Sequence, residues 1–173
     1  ETVKPKTDEL SGRVQTVIGN YDTVELRGVL NAPLIEDVLA VRINAFTADA
    51  DGYTENVFIG KDTRNTNREG GRIKLLWNAT DNLEFVLSAD LINQDARMDQ
   101  SIVEYPAARV ARYGDILPPV SLGKYQQQPS YVDEQFKRYS LQANWDLGSH
   151  TLTSISAFED LYNRLDTDLE GTI

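Results

Sequence analysis

The chain has 173 residues, with no Cys, one His and one Met, and 17 Lys plus Arg against 27 Asp plus Glu leave a formal charge of −10. Without Cys there is no disulfide, cysteine-ligated zinc, iron–sulfur cluster or thiol nucleophile, and the acid excess argues against nucleic acid as a partner, which needs clustered Lys and Arg. No apolar run approaches the roughly 18 residues of a membrane-spanning helix, but that limit leaves spanning strands open, which need about 9–11 residues and alternate.

In chain order, the dominant hydrophobic period is two. A short alternation through Val14, Thr16 and Ile18 comes first. Val24, Leu26, Leu30 and Ala32 then oppose Thr23, Glu25, Arg27 and Asn31. Leu39, Val41, Ile43 and Ala45 oppose Arg42 and Asn44, and Ile73, Leu75 and Trp77 oppose Arg72, Lys74 and Asn78. Leu83, Phe85, Leu87, Ala89 and Leu91 oppose Glu84, Ser88 and Asp90, with Val86 out of pattern. Tyr139, Leu141, Ala143, Trp145 and Leu147 oppose Arg138, Ser140, Gln142, Asn144 and Asp146. Thr151 to Glu159 is rich in β formers, with no clear facing. Side chains alternate across a strand, so these segments predict an all-β antiparallel meander of about seven strands with one apolar and one polar face. A helical period holds nowhere for three turns; the best candidate, Tyr105 to Tyr113, is short and lies inside a long connector.

Connectors of two kinds alternate. Pro33–Asp37, Thr80–Asn82 and Gly148–His150 read as tight turns, while Asp49–Gly71 and Asn93–Gln135 are long and polar. In a meander alternate connectors lie at opposite ends, so the short turns are expected at one end and the long loops at the other. Outer-membrane barrels have this asymmetry, with short periplasmic turns and long extracellular loops. Trp77 and Trp145 each precede a short turn in the phase of the apolar face, as a girdle at a lipid interface requires. Tyr21, Tyr53 and Phe58 lie toward the other end and suit a second girdle.

No catalytic constellation is legible. His150 sits in a turn beside Ser149, without the orienting carboxylate and oxyanion hole that a serine triad needs. Glu69-Gly70-Gly71-Arg72 lacks the strand–loop–helix setting of a phosphate loop. Asp49, Asp51 and Glu55 could offer oxygen ligands, but their spacing does not fit a calcium loop, and a charged surface loop is the default. No enzyme activity, metal or cofactor is expected.

Several stretches together resemble the TonB-dependent outer-membrane receptor family. Val3-Lys4-Pro5-Lys6-Thr7-Asp8-Glu9-Leu10-Ser11-Gly12 is similar to the exit from the plug domain into the barrel. Gly19 to Gly28, with Asn31-Ala32-Pro33-Leu34, resembles the first barrel hairpin. Val41 to Phe46 with Asp51-Gly52-Tyr53, Leu75 to Leu83, Trp145 to Gly148 with Leu152 to Phe158, and Asp168 to Thr172 follow in the order of that family. The resemblance implies residues 1–10 as the end of the plug or its linker and 11–173 as the N-terminal strands of the barrel. Such barrels have 22 strands around a plugged lumen, so this chain would be about a third of the wall. Neither end carries a start, leader or stop pattern, and both are expected to continue into a longer protein.

The resemblance further implies an outer membrane of a Gram-negative bacterium and active uptake of a scarce nutrient, typically an iron–siderophore complex, with vitamin B12 or a glycan as other cargoes. Energy would come from the TonB–ExbB–ExbD complex acting on the plug. Glu25, Arg27, Arg42, Asn44, Arg72, Lys74, Gln142 and Asn144 would face the lumen and meet the plug, ordered water or the ligand. Tyr113, Tyr125, Gln127 and Tyr131 would offer a ligand-facing loop surface, since aromatic rings and amides suit polar organic ligands. Two rivals share the alternation: a passive porin-type barrel, and a soluble all-β binding module whose apolar faces pack on one another.

Overall fold

The computed structural model describes residues 3–56, 60–97, 111–112, 124–125 and 130–166. It is all-β. Seven strands form one antiparallel sheet: β1 (Ser11–Ile18), β2 (Val24–Ile35), β3 (Leu39–Ala50), β6 (Thr66–Thr80), β7 (Leu83–Arg97), β9 (Tyr131–Asp146) and β10 (Thr151–Asp166). Their order in space is β1-β2-β3-β6-β7-β9-β10, so every strand pairs with its predecessor in this sheet. A second, three-stranded sheet joins β4 (Thr54–Asn56), β5 (Lys61–Thr63) and β8 (Lys124–Tyr125), with β4 central. Of the Tyr105–Tyr113 candidate only Ala111 and Arg112 are described, in a helical conformation. Among the described residues no helix is long and apolar enough to cross a membrane.

Register turns the alternation into two continuous faces. On one face Leu39, Trp77 and Phe85 stand in one cross-strand row, and Val41, Leu75, Leu87 and Leu141 in the next. A third row runs Leu30, Ile43, Ile73, Ala89, Tyr139 and Phe158. This face is uncovered: Leu87 is 52% exposed and Trp77 48%. From Leu83 to Leu91 the apolar stripe covers eight residue steps of β7, about 27 Å at ~3.4 Å each. Farther along, the same phase turns polar on several strands together, through Glu69, Asn93 and Gln135, then Asp95 and Asp133. The uncertain facing of β10 is resolved by pairing with β9: Leu152 and Phe158 join the apolar face opposite Trp145 and Tyr139, while Ile155 and Glu159 join the polar face opposite Gln142 and Arg138.

The short turns lie together and are tied to one another. Asn78 N–H donates to Val38 O at 2.8 Å and its side-chain amide to Asp37 O at 2.7 Å. Asp146 N–H donates to Asn82 O at 2.8 Å. Asp37 and Gly148 take the left-handed backbone (φ 58° and 87°) that closes such reversals. Pro33, which the sequence places in a turn, is inside β2, past the last β1 partner of that strand, Ser11 opposite Asn31; the missing N–H is tolerated at an edge.

The expected division of connectors needs one correction. The β1–β2 connection, residues 19–23, is tight yet lies at the long-loop end. Tyr21 and Asp22, both left-handed (φ 59° and 48°), let five residues reverse the chain, closed by Gly19 N–H to Thr23 O at 3.0 Å. The long loops are also shorter than expected, because β3 runs to Ala50, β6 starts at Thr66, β7 runs to Arg97 and β9 starts at Tyr131.

Candidate functional site: the polar face and its strap

The polar face carries the chemistry. Antiparallel register puts Asn44, Arg72, Asp90, Arg138 and Glu159 in one row across five strands. Asp90, only 7% exposed, accepts from Arg72 Nε and lies 3.4 Å from Arg138 Nε. Arg138 also reaches Glu159 at 3.3 Å. Two cations and two anions thus alternate along the row and neutralise one another, the condition under which charges survive partial burial.

The neighbouring row toward the turns holds Asn31, Arg42, Lys74, Ser88 and Ser140. Beyond it lies an apolar row within the polar face: Pro33, Ala40, Leu76 and Val86, with Ile155 past Gln142. Ala40, Leu76 and Val86 are buried. This accounts for Val86 breaking the alternation of its strand.

Residues 3–10, outside any strand, form a strap over this row. Lys4 Nζ pairs with Glu84 on β7 at 2.5 Å, on one side of the row. Lys6 N–H donates to Asn31 Oδ1 at 2.8 Å on β2, on the other side. The Asn31 amide donates back to Lys6 O at 2.9 Å and to Glu9 O at 2.6 Å. Between these anchors the chain crosses β6 and β3, and Pro5 is buried. Glu9 hydrogen-bonds the Lys6 ammonium at 2.8 Å and raises its pKa above the ordinary lysine value, through that bond first and its charge second.

The remaining polar-face residues form local networks. Asn144 donates to Glu84 at 2.7 Å and accepts from Gln142 at 3.0 Å and Thr153 at 3.1 Å. Arg27 pairs with Glu25 two residues away at 2.6 Å, nearer the long-loop end. Phe46 stands opposite Gly70, where an added Cβ would lie 2.9 Å from the ring, and Arg68 stacks on it at 5.5 Å. A cavity of about 400 Å³ is lined by Val3, Arg42, Asn44, Phe46, Gly71, Arg72, Asp90 and Ile92.

All eight residues singled out for this face, Glu25, Arg27, Arg42, Asn44, Arg72, Lys74, Gln142 and Asn144, share its phase. Asp90, Arg138 and Asn31 also stand in the polar phase, and Glu159 lies in a strand with no facing legible in the sequence; only register brings the four together. Trp77 and Trp145 stand on the apolar face near the turns, in neighbouring rows, and Trp77 stacks on Phe85 at 5.6 Å. Tyr131 opens β9 opposite Arg97, in the phase of Asp133 and Tyr139, which is that of the apolar face. Tyr125 belongs to β8, whose backbone pairs with Asn56. Tyr113, Gln127 and Phe58 lie outside the described residues. Tyr21 and Tyr53 pack on each other at 6.1 Å, and Arg64 stacks on Tyr53 at 5.7 Å.

His150 touches the carbonyl of Ser149, in an exposed turn. Among the described residues no three His, Cys, Asp or Glu side chains are grouped to hold a metal ion, the Asp49, Asp51 and Glu55 stretch included. No protein-family model and no solved structure matches the chain.

Proposed function

We propose that this chain is a wall segment of a large outer-membrane β-barrel, and that the barrel is a TonB-dependent receptor importing a scarce nutrient, an iron–siderophore complex foremost. One observation carries the membrane part: an uncovered apolar face across the meander, bounded by a simultaneous switch to polar residues on several strands. Outward bands of such barrels are about 25 Å tall, and a stripe of about 27 Å tilted by ~40° spans a comparable thickness. A sandwich would bury this face under a second sheet. The opposite face carries the paired charges and amides of a solvated or plugged lumen.

The receptor part rests on the family resemblance and on the strap. A chain segment that runs over the polar face and then enters β1 has the course of a linker from a plug inside the barrel to its first strand. In that reading the lumen residues meet the plug, and TonB acts on the plug.

The test uses the full-length protein in a Gram-negative host. Expected are recovery in the outer membrane, a heat-modifiable band on electrophoresis, and uptake of a labelled ferric siderophore that stops when TonB is deleted. Uptake that persists without TonB would leave a passive barrel, and a soluble monomer would leave the binding module.

A further inference from the structure

Beside the balanced ion row stands a further cation, Arg42. Arg72 and Arg138 share Asp90, and Arg138 also holds Glu159. Among the described residues Arg42 makes no ion pair or hydrogen bond of its own. It stands directly opposite Lys74 and diagonal to Arg72. Arg42 lines the cavity of about 400 Å³, whose other walls change character quickly. Asn44 offers an amide beside it, Arg72 and Asp90 line it as a pair that neutralises itself, and Phe46, Ile92 and Val3 are apolar. The Phe46 ring lies against Gly70 and under Arg68, which restrains the apolar wall.

We propose that this cavity binds a small monoanion with an aromatic or aliphatic body, its carboxylate held by Arg42 and Asn44 and its apolar part lying on Phe46 and Ile92. A guanidinium offers a carboxylate two parallel N–H donors, and one uncompensated cation selects one negative charge. The volume lies in the range of small-molecule sites, about 300–1,000 Å³, which are mostly apolar with a few placed polar groups. The inference does not rest on the membrane reading, because the cavity belongs to the polar face whatever covers the other one.

The test is calorimetric titration of the full-length folded protein with 2-naphthoate, and with 2-naphthalenemethanol as a neutral probe of similar shape. Naphthoate is expected to bind at least about tenfold tighter than the alcohol, since hydrogen bonds to charged groups exceed neutral ones by that much. Arg42→Gln should abolish the preference, and Arg42→Lys should restore only part of it. Arg164→Gln, which disturbs a separate, exposed ion pair with Asp166, should leave it intact. Equal binding of the two probes, no binding of either, or a preference that survives Arg42→Gln would each overturn the proposal. A soluble protein with the same preference would refute the barrel and keep this site.

Discussion

Asn31 and Lys6 exchange two hydrogen bonds: the Lys6 N–H donates to the Asn31 side chain at 2.8 Å, and that side chain donates to the Lys6 carbonyl at 2.9 Å. Asn31 is fully buried, so neither group has water as an alternative. Asn31→Leu should therefore strip the strap of its partner, at a cost of about 1–3 kcal/mol for unsatisfied buried groups. Limited trypsin digestion of the folded full-length protein measures this at the Lys6–Thr7 bond. Faster cleavage in the variant is expected; an unchanged rate would mean the strap is held elsewhere.

Asp90 is the shared anion of the polar row. Asp90→Asn leaves Arg72 and Arg138 facing each other without a charge between them, and breaking a largely buried ion network costs about 3–5 kcal/mol at full burial. Both arginines keep some exposure, so the loss should fall at or below the low end of that range. Glu159→Gln removes the exposed end of the row and should cost no more than about 1 kcal/mol. Denaturant midpoints of the two variants compare the effects; equal midpoints would show that Asp90 is no keystone.

Two glycines in strands should respond oppositely to the same substitution. At Gly70 an added Cβ would sit 2.7 Å from the Leu91 carbonyl and 2.9 Å from the Phe46 ring, so Gly70→Ala should destabilise by about 1–3 kcal/mol through overpacking. At Gly28 an added Cβ meets nothing within 4 Å, and Gly28→Ala should be neutral or gain about 0.4–1 kcal/mol by limiting the unfolded chain. An unchanged thermal midpoint in Gly70→Ala would contradict the register of β3, β6 and β7, and a fall in Gly28→Ala would contradict the open setting of Gly28 on β2.

The proposed lipid contact has a direct probe in β7. Leu87→Arg puts a guanidinium in the middle of the apolar face, and Arg at the midplane of an outer-membrane barrel costs roughly 2–4 kcal/mol. Glu84→Gln, one strand turn away on the polar face, loses its charge pairing with Lys4 and should assemble normally. Loss of the heat-modifiable band in the first variant alone is expected. Normal assembly of Leu87→Arg would remove the lipid-facing assignment.

The strand faces were legible in the residues, and the strand ends were not. Leu83 to Leu91 alternates because one side is apolar and the other polar, and the structure keeps that division. Past Ile92 both sides become polar, with Asn93, Gln94 and Asp95 in succession, so the hydropathy period vanishes while the backbone ladder continues to Arg97. The same loss of contrast hid the extension of β6 back to Thr66. The Asp90 row depends on register across several strands, which local pattern does not contain. The Asn31 clamp binds main-chain groups 22 and 25 residues away, and no residue type advertises a main-chain partner. The parallel pairing of β4 with β8 rests on two residue pairs, too few to leave a periodic trace.

The neighbour-only order of the large sheet governs how the molecule can be built. After β1, each strand of this sheet has its template finished before it emerges, so none of them must wait for a partner made much later. Contacts between sequence neighbours close quickly and at small entropic cost. The sheet can therefore lengthen by accretion in one direction, with the sixteen exposed residues of β10 as its growing front.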